Sequence, residues 1–218
     1  QVQLADVFIF YDDVPFSKGS FTNRVQIKTV NGTKWLTVPL EGLSAGQKIS
    51  EVRIKDKSVW VKKHLAFLKQ SFSGAPFSED AINLVEKVYQ ADFDSVGELA
   101  RISMLALFDY FDLTKTCKWI DVESLSIPGK GSDRVLSIVQ AVNGKNYITG
   151  HGAKNYLNHE MFESLGIKVK YMDYHCLSYK QLYGSFMPYV SALDLIANCG
   201  KQGIIFIKPD IVDWKEFI

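Results

Sequence analysis

Two hydrophobic rhythms run along this chain, and the switch between them predicts its elements. The apolar run Val7-Phe8-Ile9-Phe10, within residues 6–11, lacks polar alternation and predicts a strand able to sit mid-sheet. It is followed at once by two carboxylates, Asp12 and Asp13. Residues 25–30 and 34–39 alternate about Asn31-Gly32, a strong hairpin signal. A further short strand is expected at 48–54. From Val59 to Phe72 the period lengthens, with Trp60, His64, Phe67 and Leu68 on one helical face. Gly74-Ala75-Pro76 breaks that helix, and Ser78-Glu79-Asp80 opens a second, reaching about Tyr89. Ser95 with Glu98 forms a capping-box pattern for a third, which runs to about Phe111.

The second half alternates faster. A strand at Lys118–Val122 leads through Pro128-Gly-Lys-Gly-Ser132 to a helix at Asp133–Val142. Tyr147–Thr149 is a strand followed by the Gly-rich turn Gly150-His151-Gly152. A helix from about Glu160 ends at Gly166, a good C-cap, and Ile167–Tyr174 is the next strand. Ser191–Ala197 is a short helix. Strand, helix, strand, helix, strand predicts an α/β fold: a parallel or mixed sheet with covering helices, plus a helical insert around residues 58–113. No repeat or linker interrupts the 218 residues, so one domain spanning 1–218 is expected.

Composition narrows the function classes. Net charge is +1, from 25 basic and 24 acidic residues, which argues against a dedicated nucleic-acid binder but leaves room for a local anion pocket. Cys117, Cys176 and Cys199 are widely spaced, with no CxxC pair and no metal-ligand spacing, and read as reduced thiols. There is no bilayer-length apolar run and no signal peptide, so a cytoplasmic protein is expected. The 13% aromatic content leaves room for a homodimer surface.

Four constellations could carry chemistry. Asp12 and Asp13 follow a strand, where ligands of open α/β sheets bind; they could serve as base, or simply cap a turn and face solvent. Gly129-Lys130-Gly131-Ser132-Asp133-Arg134 opens a helix and suits a phosphate, although the P-loop spacing is absent. Its structural alternative is a polar loop with Ser132 or Asp133 as helix cap. Gly150, Gly152, Lys154 and Tyr156 follow another strand and could hold a phosphate or a sugar hydroxyl; His151 among them is more often incidental. Asp173, His175, Cys176, Tyr179 and Gln181 form the fourth, in which neighbouring Cys and His point to opposite faces of a strand and so do not pair.

Taken in order, these blocks resemble the WbqC-like family, encoded in bacterial O-antigen and surface-polysaccharide clusters. The resemblance rests on Ala5–Pro39, on Gly129–Arg134, and on Tyr147–Gly150 with Gly152-Ala153-Lys154 and Tyr156-Leu157. It extends through Tyr179-Lys180-Gln181, Gly184-Ser185-Phe186, Pro188, Ser191, Asp194-Leu195 and Asn198-Cys199-Gly200. Family members often have proline where His151 stands. They usually begin about twenty residues earlier, a boundary soft by a few residues. Gln1–Ala5 reads like the tail of a helix entering the first strand, so an upstream segment is expected.

The resemblance implies an aminoacyl (glycine) transferase that forms an amide on an amino sugar. A sugar amine, nucleotide- or lipid-linked, would attack an activated glycyl carbonyl. Asp12 or Asp13 would be the base; Asn23, Arg24 and Lys28 would meet the carbonyl or carboxylate. Lys130, Ser132 and Arg134 would hold a diphosphate, and Lys154, Tyr156 and Asp173 would line the sugar pocket, with Tyr179 and Gln181 as further binding residues. The donor stays open between glycyl-tRNA, a thioester and free glycine with ATP. The alternatives are an adenylate-forming or nucleotidyl-transfer enzyme using ATP and Mg²⁺, and a non-catalytic sugar-nucleotide-binding module.

Overall fold

The computed structural model describes residues 1–113 and 117–218. In chain order the strands are β1 (Val7–Phe10), β2 (Arg24–Thr29), β3 (Gly32–Thr37), β4 (Leu40–Glu41), β5 (Arg53–Ile54), β6 (Lys118–Asp121), β7 (Asn146–Thr149), β8 (Lys168–Met172) and β9 (Ile211–Asp213). The helices are α1 (Lys57–Ser71), α2 (Ser78–Gln90), α3 (Val96–Tyr110), α4 (Gly131–Ala141), α5 (His159–Ser164), α6 (Ala192–Cys199) and α7 (Trp214–Phe217). The class is α/β, and α1 to α3 are the expected helical insert. The chain gathers into two compact units.

Unit 1 comprises Gln1–Tyr11, Lys115–His175 and Lys208–Ile218. β1 pairs parallel with β6, Val7 opposite Lys118 and Phe10 opposite Asp121. β7 pairs parallel with β8, and β9 closes that sheet antiparallel, so the sheet content is mixed. Val135 and Val139 of α4, Phe162 of α5 and Val169 and Tyr171 of β8 form its core. His159 is buried there, 2.7 Å from the Tyr171 hydroxyl and stacked on Trp214.

Unit 2 comprises Asp12–Thr114 and Cys176–Ile207. The β2–β3 hairpin pairs Arg24 with Thr37 and Thr29 with Gly32, so its tight loop is Val30-Asn31, one residue earlier than expected. Val30 and Asn31 keep negative φ, and Gly32, which closes the loop, has φ of 92°, the mark of a turn closed by a glycine bulge. Residues 48–54 depart from the expected strand. Glu51 reaches back to the Lys48 N–H at 3.3 Å and folds 49–51 into a 3₁₀ turn, leaving only β5 to pair with β4. The capping box of α3 is present: Glu98 accepts from the Ser95 N–H at 2.9 Å, and Ser95 Oγ accepts from the Glu98 N–H at 3.2 Å. Ile27, Leu68, Phe72, Ala81 and Ile196 join β2, α1, α2 and α6 in one core; Val52, Trp60 and Val96 anchor a second. Among the described residues no helix is long and apolar enough to cross a membrane.

Candidate functional site

In unit 1 the sequence of α4 leaves its amino end bare. The helix begins at Gly131, two residues before the expected start, with Lys130 at the N-cap and no side-chain cap. Gly129 and Gly131 take φ of 104° and 61°, a backbone path that only glycine follows without strain. Ser132 does not cap the helix. Its hydroxyl donates to the Tyr156 carbonyl at 3.0 Å and accepts from the Asn158 N–H at 2.8 Å, tying this loop to the segment after β7. An uncapped helix start presents N–H groups and the positive end of the helix dipole. Lys130, exposed, adds a full charge there.

The carboxyl ends of two strands meet this helix start. Arg134, in the first turn of α4, is buried; its Nε donates to the Ile127 carbonyl at 2.9 Å, and its guanidinium lies 5.2 Å from the Tyr11 ring centre, just past β1. Tyr156, just past β7, is half-exposed, and burial followed by the nearby Tyr11 hydroxyl pushes its pKa up. Tyr147 is pushed up to about 12, mainly by burial, and donates to Thr149 Oγ1 at 3.4 Å. The result is a rim of backbone N–H groups, two cations and three phenols at the ends of parallel strands, where α/β folds bind ligands. Such a rim can hold a phosphate, with phenols left for neighbouring hydroxyls.

The other candidates of unit 1 are Gly150, Gly152, Lys154 and Asp173. Added side chains at Gly150 and Gly152 would meet nothing within 4 Å, so both glycines border open space. His151 donates from Nε2–H to the Met172 carbonyl, 2.6 Å away, and packs on Phe217; the ammonium of Lys154 lies 5.7 Å from the same ring. Asp173 is part-buried and stands 3.5 Å from His175.

In unit 2 three candidates from opposite ends of the chain converge. Lys28, only 3% exposed, donates to Gln181 Oε1 at 3.0 Å and to the Ser185 carbonyl at 2.6 Å. Gln181 Nε2 donates to the Tyr179 hydroxyl at 3.2 Å and the Met187 carbonyl at 3.1 Å, and its Oε1 accepts from the Met187 N–H. Tyr179 donates to Asp194 Oδ1 at 2.9 Å, and Asn198 donates to the same oxygen at 3.3 Å. Burial raises the Asp194 pKa; the Tyr179 hydrogen bond and the Lys28 charge oppose that rise. Burial, with Asp194 close by, pushes the Tyr179 phenol well above its ordinary range.

Asp194 and Asn198 were not among the candidate residues. The signal for them was an Asp in the otherwise apolar helix Ala-Leu-Asp-Leu-Ile-Ala, four residues before an Asn. The remaining candidates of unit 2 do not join this network. Asn23 donates to the Val38 carbonyl at 2.9 Å, and Arg24 packs over Trp35 and donates to the Gly19 carbonyl. The buried Arg24 Nε has no hydrogen-bond partner among the described residues. Arg24 and Lys28 lie four residues apart on β2, a spacing of roughly 13 Å along a strand. Asp12 pairs with Arg101 at 3.3 Å, and Asp13 also makes contacts. Among the described residues no three His, Cys, Asp or Glu gather into a metal-binding group.

The pattern of elements, parallel and mixed strands with covering helices, places the chain among α/β proteins. The profile of the WbqC-like protein family matches residues 1–205, so this chain belongs to that family. It is similar to the uncharacterised protein Rv1507c of Mycobacterium tuberculosis, 31% identical over 211 residues that cover 95% of this chain and 90% of the relative. No solved structure gives a significant match.

Proposed function

We propose that this protein is an aminoacyl (glycine) transferase that forms an amide on an amino sugar of a surface glycan, in the cytoplasm, with residues 1–218 acting as one WbqC-like domain. The observation that carries this reading is the uncapped start of α4 flanked by Lys130 and Arg134. It suits the diphosphate of a nucleotide- or lipid-linked sugar. Tyr156 and Tyr11 suit hydroxyls of the attached sugar or ribose.

In the reaction the sugar amine attacks the glycyl carbonyl, a C–N bond forms, and the donor's leaving group departs with the electron pair. A base takes the amine proton. Asp12 and Asp13, which follow Tyr11 directly in the chain, are the two carboxylates for that role; Arg101 holds Asp12 in place. The Lys28–Asp194 network has its own role within unit 2, where it fixes the segment 179–187 on β2.

The test is a thermal-shift and calorimetric screen with UDP- and dTDP-linked amino sugars, ATP with Mg²⁺, and glycine. Stabilisation by an amino-sugar nucleotide that weakens in Lys130→Ala is the expected result. Stabilisation by ATP with release of pyrophosphate would move the protein to the adenylate-forming class.

A further inference from the structure

The β2–β3 hairpin of unit 2 has one face in the core and one face in the open. Alternation and register sort its side chains. Val25 and Ile27 of β2 and Leu36 of β3 pack with Leu68 and Phe72 in the core. Arg24, Gln26 and Lys28, paired with Thr37, Trp35 and Thr33, share the opposite face. One end of that face is closed, because Lys28 is buried under the Gln181 amide and the Ser185 carbonyl. The other end is open. Trp35 is 43% exposed, and Phe21, whose ring centre lies 5.5 Å from that of Trp35, is 66% exposed. The Arg24 guanidinium stacks on Trp35, 4.2 Å from the ring centre.

Two observations set this open end apart from an ordinary solvated face. The first is Arg24. A terminal nitrogen donates to the Gly19 carbonyl, but its buried Nε has no hydrogen-bond partner among the described residues. A buried donor left in this way is rare in a native chain and calls for a partner. The second is Tyr189. The Ser191 N–H donates to the Gln26 carbonyl at 2.8 Å, so Tyr189 stands only two residues, at most about 7 Å of chain, from the edge of β2. It takes φ of 63° and is 72% exposed. A bulky residue in left-handed backbone is strained, and an exposed ring gains little burial to offset that strain. The bonds from Lys28 to the Ser185 carbonyl and from Gln181 to the Met187 carbonyl hold the chain that leads to it.

We propose that the open end of this hairpin face binds a neutral saccharide, whose pyranose rings stack on Trp35, Phe21 and Tyr189 while Gln26, Arg24 and Thr37 bond their hydroxyls. A pyranose carries C–H groups on its faces and hydroxyls around its edge. The C–H groups suit the electron-rich face of an aromatic ring. The hydroxyls need groups that donate and accept side by side. The Gln26 amide does both, and it stands directly across the ladder from Trp35, with Cβ atoms about 5 Å apart. Neither that amide nor the Trp35 indole N–H makes a hydrogen bond among the described residues. Exposed Thr37 lies two residues along the same strand face. No carboxylate stands among these groups, and their one cation is stacked on a ring, which favours an uncharged ligand. A protein partner needs a contiguous apolar centre, whereas here amide and hydroxyl groups stand beside the rings. On the transferase reading the occupant is the glycan part of the acceptor. The face itself uses none of the residues assigned to the diphosphate.

An NMR titration of the Trp35 indole N–H tests this, with the signal assigned by its loss in Trp35→Phe. The probes are trisaccharides of N-acetylglucosamine, of glucose and of mannose. They carry no phosphate, so failure here and failure of the diphosphate site are read separately. At least one should shift the Trp35 signal with a Kd of about 0.1–1 mM. Trp35→Ala and Gln26→Ala should weaken that binding about tenfold or more, with Trp35→Ala keeping its Tm within about 2 °C. Tyr189→Gly separates binding from folding: glycine relaxes the left-handed backbone, so the Tm should hold or rise while sugar affinity falls. No Trp35 shift with any trisaccharide at about 10 mM overturns the proposal. Equal affinity in Trp35→Ala overturns it too, by placing the sugar elsewhere. A Trp35 signal that moves on dilution without sugar also overturns it, by giving the face to a second copy of the chain.

Discussion

The Lys28–Asp194 network of unit 2 and the α4 rim of unit 1 use the same kinds of side chain to opposite ends. In the network a lysine, an aspartate, a tyrosine and two amides bond to one another and to loop carbonyls, and both charges are 3% exposed. At the rim a lysine is exposed, and the helix start beside it has no cap. The difference teaches how to read polar residues in this chain. Charges that are buried and satisfied fix a loop, because removing either one strands the other. Donors left bare at the ends of parallel strands are the ones the proposed function assigns to a ligand.

That contrast breaks first at Lys28. Lys28→Ala should destabilise the protein by about 3–5 kcal/mol, because Gln181, the Ser185 carbonyl and Asp194 lose the charge that satisfies them. Chemical denaturation measures this, and a loss under 1 kcal/mol would mean the network does not hold the loop. Lys130→Ala should behave in the reverse way. Stability should change by less than about 0.5 kcal/mol, while affinity for a diphosphate ligand drops about tenfold, or about 1.4 kcal/mol.

Ser132→Ala sharpens the comparison further, since this hydroxyl ties the rim to the segment after β7. Its loss should cost about 1 kcal/mol in stability, visible as a lower denaturation midpoint. The smallest effect is one of pH. Burial lowers the pKa of His64, whose Nε2–H donates to the Thr37 carbonyl at 3.1 Å and whose Nδ1 accepts from Tyr89 at 3.0 Å. Its folded pKa lies below its ordinary value of about 6.5, so its stabilising contribution is present above that value and is lost as pH falls through it. His159 in unit 1 is lowered by burial too and adds to the same slope. The Tm should fall between pH 7.5 and 5.5, and the fall should be smaller in His64→Gln.

Much of the fold was legible because its signals are local. The hairpin, the capping box of α3 and the strand–helix alternation after residue 118 each depend on a few neighbouring residues. The segment 48–54 misled because its alternation looked extended while Glu51 had a nearer backbone partner. β9 and α7 escaped because three or four residues carry too little periodicity to read. The candidate site was legible in part: Lys130 and Arg134 announced the rim through glycine spacing before a helix. The convergence of Lys28 with Gln181, 153 residues away, was not, because no local pattern encodes a long-range hydrogen bond. The local bonds of Asn23 to the Val38 carbonyl and of Arg24 to the Gly19 carbonyl were not legible either, because they follow from how the loops before and after the hairpin fold back on it.

The most direct test of the central claim is an amide NMR titration with a UDP-linked amino sugar, following the N–H signals of Gly131, Ser132 and Asp133. Binding of the diphosphate at the start of α4 should shift all three at one common affinity, with the shifts weakened about tenfold in Lys130→Ala. Signals that stay still while the ligand binds elsewhere would contradict the account.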